Sequence, residues 1–340
     1  MTRGPAYFGP QEIRDAVGYP DVLEPVAAAL RDYSSGLGDS PAAVFAPAGR
    51  EGDVHVKSAW LPGRRIFTVK VASWFLERAR RGGTPGSGVI AVFDAETGDL
   101  RALLEDEHHL SDVRTAAAGA LAARTMARRD SHVLGVIGSG TQAYLQTLAI
   151  ADELPLRDVR VWGRHASRVE DLARALHARR PGLRVVAADG PRAACEGADV
   201  LVTATSSTEP LVHAAWLTPG THVNAVGADD PTKAELSPEA LTRADRIVVD
   251  SRELTATHGD LSRLPTTDRR HHAELGEVLA GTAPGRAGDD EITVCKLVGL
   301  GVQDLAAAEV VLDRLSGPHT PEGTTPTPAH AREVHRRADA

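Results

Sequence analysis

The chain has 340 residues, 42% of them apolar and 25% charged, enough apolar material for a sizeable core without a metal or disulfide staple. Acidic residues outnumber basic ones, 46 to 38, for a net charge of −8, and a surface of that sign disfavours nucleic acid and anionic membrane. Cys195 and Cys295 stand apart in apolar settings, residues 1–10 carry no basic-then-apolar leader, and no apolar run is long enough to span a bilayer. The expectation is a soluble, cytoplasmic protein of two domains.

In chain order, the part up to about residue 112 offers candidate strands at 55–58, 66–72 and 89–94, separated by glycine-rich turns. This predicts an α+β domain with an antiparallel or mixed sheet. An alanine-rich helix is expected over 112–129. Between 131 and 250, short β-branched runs at 133–137, 159–162, 184–187, 200–203, 222–226 and 246–249 alternate with helix-like segments such as 168–180. That order predicts a parallel, doubly wound sheet covered on both faces. Residues 292–315 read as ordered and apolar, returning to pack on the first domain. The Pro-, Thr- and His-rich end from 319 to 340 is expected to be disordered. The histidine pairs His108-His109 and His271-His272 have no supporting Cys or carboxylate cluster, and adjacent histidines point apart, so no metal site is expected.

Gly138-Ser139-Gly140-Thr141-Gln142-Ala143 follows the apolar run 133–137 and opens a predicted helix, 142–152. In that context the glycines suit a dinucleotide turn. Gly138 permits the bend, Gly140 lets the backbone approach a pyrophosphate, and Ala143 lets helix and strand pack closely. The helix N-terminus presents free N–H groups and a positive dipole end to the phosphates. An NAD-selective site usually places Asp or Glu at the end of the second strand. Here that stretch is Trp162-Gly163-Arg164-His165-Ala166-Ser167-Arg168, and Arg164 and Arg168 are suited to a 2′-phosphate. The cofactor expected is NADP(H), with NAD(H) the alternative.

The segments Val69-Lys70-Val71-Ala72, Ser111-Asp112-Val113-Arg114-Thr115-Ala116-Ala117, the glycine turn, residues 227–236, 273–278 and 299–305 run in order along the chain. In them the sequence resembles the ornithine cyclodeaminase and mu-crystallin superfamily. The resemblance implies a Rossmann domain over 116–299 and a discontinuous α+β substrate and dimerisation domain over 1–115, completed by 300–318. It implies a homodimer and a small amino or imino acid substrate. Arg114 and Lys70 match carboxylate-binding positions of that family, with Lys70 also available as a catalytic proton donor, and Asp229 matches its catalytic aspartate, which would take a proton from the amine or from water adding to the imine. Beyond the glycine turn, the implied cofactor side comprises Arg164, His165, Arg168, Thr205, Ser206, Val226, Gly227, Lys233 and Leu297. Taken alone, Asp229-Asp230-Pro231 reads as a turn and Lys70 as the end of an edge strand.

The sequence also departs from the family. Where many members carry an Arg that grips the carboxylate, this chain has Ala43, and Lys57, Arg64 or Arg65 is available to replace that charge. Lys296-Leu297-Val298-Gly299 stands where the family often has Ser before glycine, which predicts a more apolar nicotinamide pocket. The leading expectation is an NADP-preferring oxidoreductase acting at the C–N bond of an amino or imino acid. The alternative is an ornithine- or lysine-type cyclodeaminase that recycles NAD and releases ammonia. A non-enzymatic NADPH-binding protein is the third possibility, and retention of both Lys70 and Asp229 argues against it.

Overall fold

The computed structural model describes residues 4–47, 51–265 and 272–316. The anticipated tail and His271 lie outside the described residues. The N-terminal part runs β1 (Ala6–Phe8), α1 (Pro10–Ala16), α2 (Tyr19–Ser34), β2 (Ala42–Phe45), β3 (Gly52–Ala59), β4 (Ile66–Phe75), α3 (Leu76–Arg80), β5 (Gly86–Asp94) and β6 (Leu100–Glu105). Its six strands lie in the order β1-β6-β5-β4-β3-β2, antiparallel except for the β1–β6 pair, so the expected mixed sheet is present and larger than the sequence suggests. Along β4 the pleat sends Ile66, Thr68, Lys70 and Ala72 inward, whereas Phe67, Val69 and Val71 face outward. Helices α1 and α2 were not anticipated. Val22, Val26 and Leu30 of α2 recur every four residues and are all buried.

After α4 (His109–Met126) the chain enters the second sheet, made of β7 (Val133–Ile137), β8 (Asp158–Trp162), β9 (Arg184–Ala187), β10 (Val200–Thr203), β11 (His222–Ala225), β12 (Arg246–Val249), β13 (Ala273–Glu274) and β14 (Thr293–Lys296). The order β13-β12-β14-β11-β10-β7-β8-β9 is parallel throughout. The helices between them are α5 (Thr141–Glu153), α6 (Ala166–Arg179), α7 (Pro191–Cys195), α8 (Pro238–Arg243), α9 (Arg252–Thr255) and α10 (Leu275–Leu279). Strand β7 sits between β10 and β8, where the winding reverses, and a doubly wound sheet opens its ligand crevice at that point. Residues 292–315 resolve into two elements. Strand β14 enters the parallel sheet, and α11 (Gly301–Leu315) lies against α2, β3 and β4.

One apolar cluster joins α2, α4 and α11 to β4 and β5, while two others cover the faces of the parallel sheet. Polar ties lock the parts together. His222 is fully buried in β11, its ring nitrogens 2.9 Å from Thr293 Oγ1 and 2.8 Å from Asn224 Oδ1. Burial lowers its pKa to about 3, so it stays neutral. Asn224 Nδ2 in turn donates to the Gly119 carbonyl at 2.8 Å, fixing α4 across the sheet.

Helix α10 crosses α2 so closely that a Cβ on Gly276 would lie 2.0 Å from the Leu30 carbonyl oxygen. The obstacle is backbone, so the helices would have to separate. Gly276→Ala is therefore expected to destabilise the fold by roughly 1–3 kcal/mol, read as a lower urea midpoint. An unchanged midpoint would show that this contact is not constraining.

Candidate active site

The C-terminal ends of β7, β8, β10 and β11 face the inner side of β3 and β4 across a cavity of about 1080 Å³. Lys57, Lys70, Arg114, Asp229, Gly138 to Gln142, Arg164, His165, Arg168, Thr205, Ser206, Val226, Gly227, Lys233 and Leu297 all line it, whereas Ala143 of the glycine turn does not. Ala43 does not line it, although its neighbours Ala42 and Val44 do. Of the three cations offered as replacements for the missing Arg, Lys57 is the one present. Arg64 bonds Asp32 and Glu309 outside the cavity, and Arg65 does not line it either.

In the glycine turn Gly138 has φ +130°, and a Cβ there would lie 2.5 Å from the Ala204 carbonyl oxygen. Gly140, the N-cap of α5, would meet nothing within 4 Å, so the space its missing side chain leaves opens into the cavity. Gln142 Nε2 donates to the backbone oxygen and side chain of Asp112, at 3.1 and 3.0 Å, tying the turn to α4. At the end of β8, Arg164, His165 and Arg168 are exposed and line the cavity, with no acid beside them. Among the described residues neither arginine forms an ion pair.

The loops after β10 and β11 are clamped by one carboxylate that sequence reading had not singled out. Glu235 accepts from Thr205 N at 2.6 Å, Gly227 N at 2.8 Å, Ala228 N at 3.1 Å and the Thr203 hydroxyl at 2.7 Å. Asp260 accepts from the Glu235 and Leu236 amides and pairs with Lys296 at 3.1 Å. Lys296 is fully buried and does not line the cavity, whereas Leu297, Val298 and Gly299 do.

The inner end is strongly charged. Lys70 Nζ lies 2.7 Å from Asp304 Oδ2 and donates to Ser111 Oγ at 2.9 Å. Arg114 Nε donates to Asp304 Oδ1 at 3.0 Å, and its NH1 to Gln303 Oε1 at 2.9 Å. All three charged groups are buried. Burial pushes the Lys70 pKa down and Asp304 opposes it; burial would raise Asp304, but Lys70 and Arg114 hold it low. Gly299, at φ +86°, lets Arg114 lie flat on the chain, since a Cβ there would stand 2.6 Å from NH1.

Lys57 Nζ donates to the carbonyls of Val298 at 3.1 Å and Gly299 at 2.7 Å. Asp229 stands at the mouth of β11 with Lys233 Nζ 2.7 Å away; Lys233 also reaches Asp230 at 3.1 Å. Burial works to raise the Asp229 pKa, but Lys233, His55 and Lys57 outweigh it and keep the carboxylate ionised. His108, with φ +76°, also faces the cavity, 3.2 Å from Asp112 and edge-on to Trp74. Its neighbour His109 bonds the Val17 carbonyl at 2.7 Å, so the pair does not act together. Among the described residues no group of three His, Cys, Asp or Glu side chains could hold a metal.

Comparison with known proteins identifies the family. The sequence model of the ornithine cyclodeaminase/mu-crystallin family matches residues 11–319. The ketimine reductase mu-crystallin of Mus musculus is 31% identical over 321 residues, covering 93% of this chain and 99% of that one. The Thermococcus litoralis Δ1-pyrroline-2-carboxylate reductase in complex with NADH and L-proline superposes with a TM-score of 0.85 at 27% identity, covering 91% of this chain and 97% of the other. An archaeal alanine dehydrogenase dimer with bound NAD superposes with a TM-score of 0.83 at 30% identity, covering 91% and 95%. The chain belongs to the ornithine cyclodeaminase/mu-crystallin family.

Proposed function

We propose that the chain is an NAD(P)-dependent oxidoreductase that exchanges hydride at the C–N bond of a small α-amino or imino acid. The observation that carries this is the joining, in one cavity, of a dinucleotide turn to a buried, carboxylate-seeking pair of cations. The relatives named above are a ketimine reductase, a pyrroline-carboxylate reductase and an alanine dehydrogenase, whose shared chemistry is a change of oxidation state at that bond. The balance is amino acid plus NAD(P)⁺ giving imino acid, NAD(P)H and a proton.

The glycine turn and the first amides of α5 would hold the pyrophosphate, and Thr205, Ser206, Val226, Gly227, Lys233 and Leu297, which line the same cavity, would face the rest of the cofactor. When bound, the nicotinamide supplies or accepts the hydride. Lys70 and Arg114 share the single charge of Asp304, so one positive charge is left over for the substrate carboxylate. Asp229, kept ionised by Lys233, accepts a hydrogen bond from the substrate nitrogen and stabilises its positive charge in the iminium form. The unpaired Arg164 and Arg168, with no acid at the end of β8, support NADP(H) as the preferred cofactor.

We assign the parallel sheet, residues 116–299, to the cofactor, and residues 1–115 with 300–318 to substrate and dimerisation. The outward face of the six-stranded sheet supports a homodimer. Val56 pairs with Val71, Val71 with Val89, Val69 with Ala91 and Phe67 with Phe93, and none of these is buried in the single chain. Such an apolar sheet face calls for a partner. Both cysteines are free and buried, and no helix among the described residues is long and apolar enough to cross a membrane, which supports a place in the reducing cytoplasm.

Asp229→Asn is expected to lower kcat by about 100-fold while leaving cofactor affinity within a few-fold, because a neutral amide cannot stabilise the iminium charge. Unchanged turnover would remove Asp229 from the chemistry. NADPH is expected to bind more tightly than NADH, by about 10-fold or more for a charge-assisted contact, and Arg164→Ala with Arg168→Ala should abolish the difference. Tighter NADH binding would overturn the cofactor assignment. Val71→Asp is expected to convert a dimer to a monomer by light scattering; a monomeric wild type would contradict the interface.

A further inference from the structure

The cavity holds three buried cations at its inner end, and they are not equivalent. Lys57 and Lys70 are directly opposite across the antiparallel β3–β4 pair, an arrangement that is unfavourable for two like charges. Lys70 is tied to Asp304 and Ser111, and Arg114 to Asp304 and Gln303. Lys57 has no acid in contact among the described residues, and its two hydrogen bonds go to the neutral carbonyls of Val298 and Gly299. A neutral amine has two N–H groups and one lone pair. Both N–H groups are used by those carbonyls, which leaves the lone pair over. Lys57 can therefore gain and lose its third proton without breaking either bond.

The surroundings are balanced for that exchange. Lys70 on β4 and Arg114 on α4 drive the proton off, whereas Asp229 after β11 and Asp304 on α11 draw it in. His55 lies on the same strand and faces Asp53 at 3.4 Å. Asp250, after β12, acts through one peptide: it accepts the Gly299 N–H at 2.6 Å while Lys57 holds the Val298 carbonyl of the same peptide unit. Burial lowers the Lys57 pKa first and the two cations add to it, bringing it to about 7. The other candidates are committed. Asp229 is held ionised by Lys233, which makes it a weak base, and Lys70 is paired to Asp304.

We propose that Lys57 is the catalytic residue that exchanges the proton with the substrate nitrogen. In the oxidative direction an N–H bond of the substrate ammonium breaks, its electron pair stays on the substrate nitrogen, and a new N–H bond forms on Lys57 Nζ. In reduction the same proton returns to the nitrogen. This rests on the substrate reading given above. Lys57 must be neutral for oxidation, so kcat/KM falls as pH drops through about 7; it must be protonated for reduction, so kcat/KM falls as pH rises through the same value.

The test has two arms. In the cofactor-free wild type, acetylation of Lys57 by acetic anhydride, followed by peptide mass spectrometry, should titrate near pH 7. The pH profiles of wild type, Lys57→Arg and Asp229→Asn are then compared. Lys57→Arg keeps a positive charge but cannot titrate, so it should lose the limb near neutrality and about 100-fold in kcat, with KM changed only a few-fold. Asp229→Asn should keep the limb. An acetylation midpoint at the ordinary lysine value, or a limb that survives in Lys57→Arg, overturns the proposal alone. Failure of the wild type to turn over any amino or imino acid overturns the functional reading and this proposal with it.

Discussion

Asp304 is the point on which the architecture turns. Its carboxylate binds Lys70 from β4 and Arg114 from α4, and all three are withdrawn from water. Burying two cations is costly unless an acid accompanies them, and removing one partner from such a cluster typically costs about 3–5 kcal/mol. The acid is supplied by α11, the last described helix, almost two hundred residues after Arg114. The chain must therefore come back across β3 and β4 before the N-terminal part can bury its own lysine. Gly299 and Gln303, at the start of that return, shape the backbone and the hydrogen bonds around the same guanidinium. The cluster is thus both a clasp for a discontinuous fold and a surplus of positive charge facing the cavity.

Helix α4 carries this constraint to the dinucleotide side. Its first turns hold Ser111 and Arg114 at the charged end, while Asp112 receives Gln142 from the glycine turn and the Gly119 carbonyl receives Asn224 from β11. Glu235 completes the frame by gathering the amides of Thr205, Gly227 and Ala228 on one carboxylate. The loop carrying Asp229 is consequently set in part by Glu235, a carboxylate that does not line the cavity.

The sequence made some of this plain and hid the rest. The glycine turn was legible because its meaning is local: a strand, two glycines and a helix start are all contiguous. Six of the eight parallel strands were legible for the same reason, as short β-branched runs, whereas β13 and β14 were not. Helix α2 has no such local signature: Pro20 sits in its first turn and Pro25 inside it, and an interior proline ordinarily argues against a helix. Lys70, Arg114 and Asp229 could be singled out only through a resemblance, since each alone is an ordinary strand, helix or turn residue. Asp304 and Glu235 lay inside matching segments, but their partners are remote in sequence, and no local pattern announces a buried charge pair. The same holds for Lys57, whose character comes from what surrounds it.

In the proposed reaction one cavity brings the cofactor's hydride to the carbon bearing nitrogen in a carboxylate-anchored substrate. Its most direct measurement uses NADPH deuterated at the transferable position, together with cyclic and open-chain 2-imino acids, and locates the label in the product. One deuterium is expected at the α-carbon, next to the nitrogen, with one NADPH consumed per product. Ammonia released from a diamino acid with no net change in cofactor, or no label at that carbon with any imino acid, would contradict it.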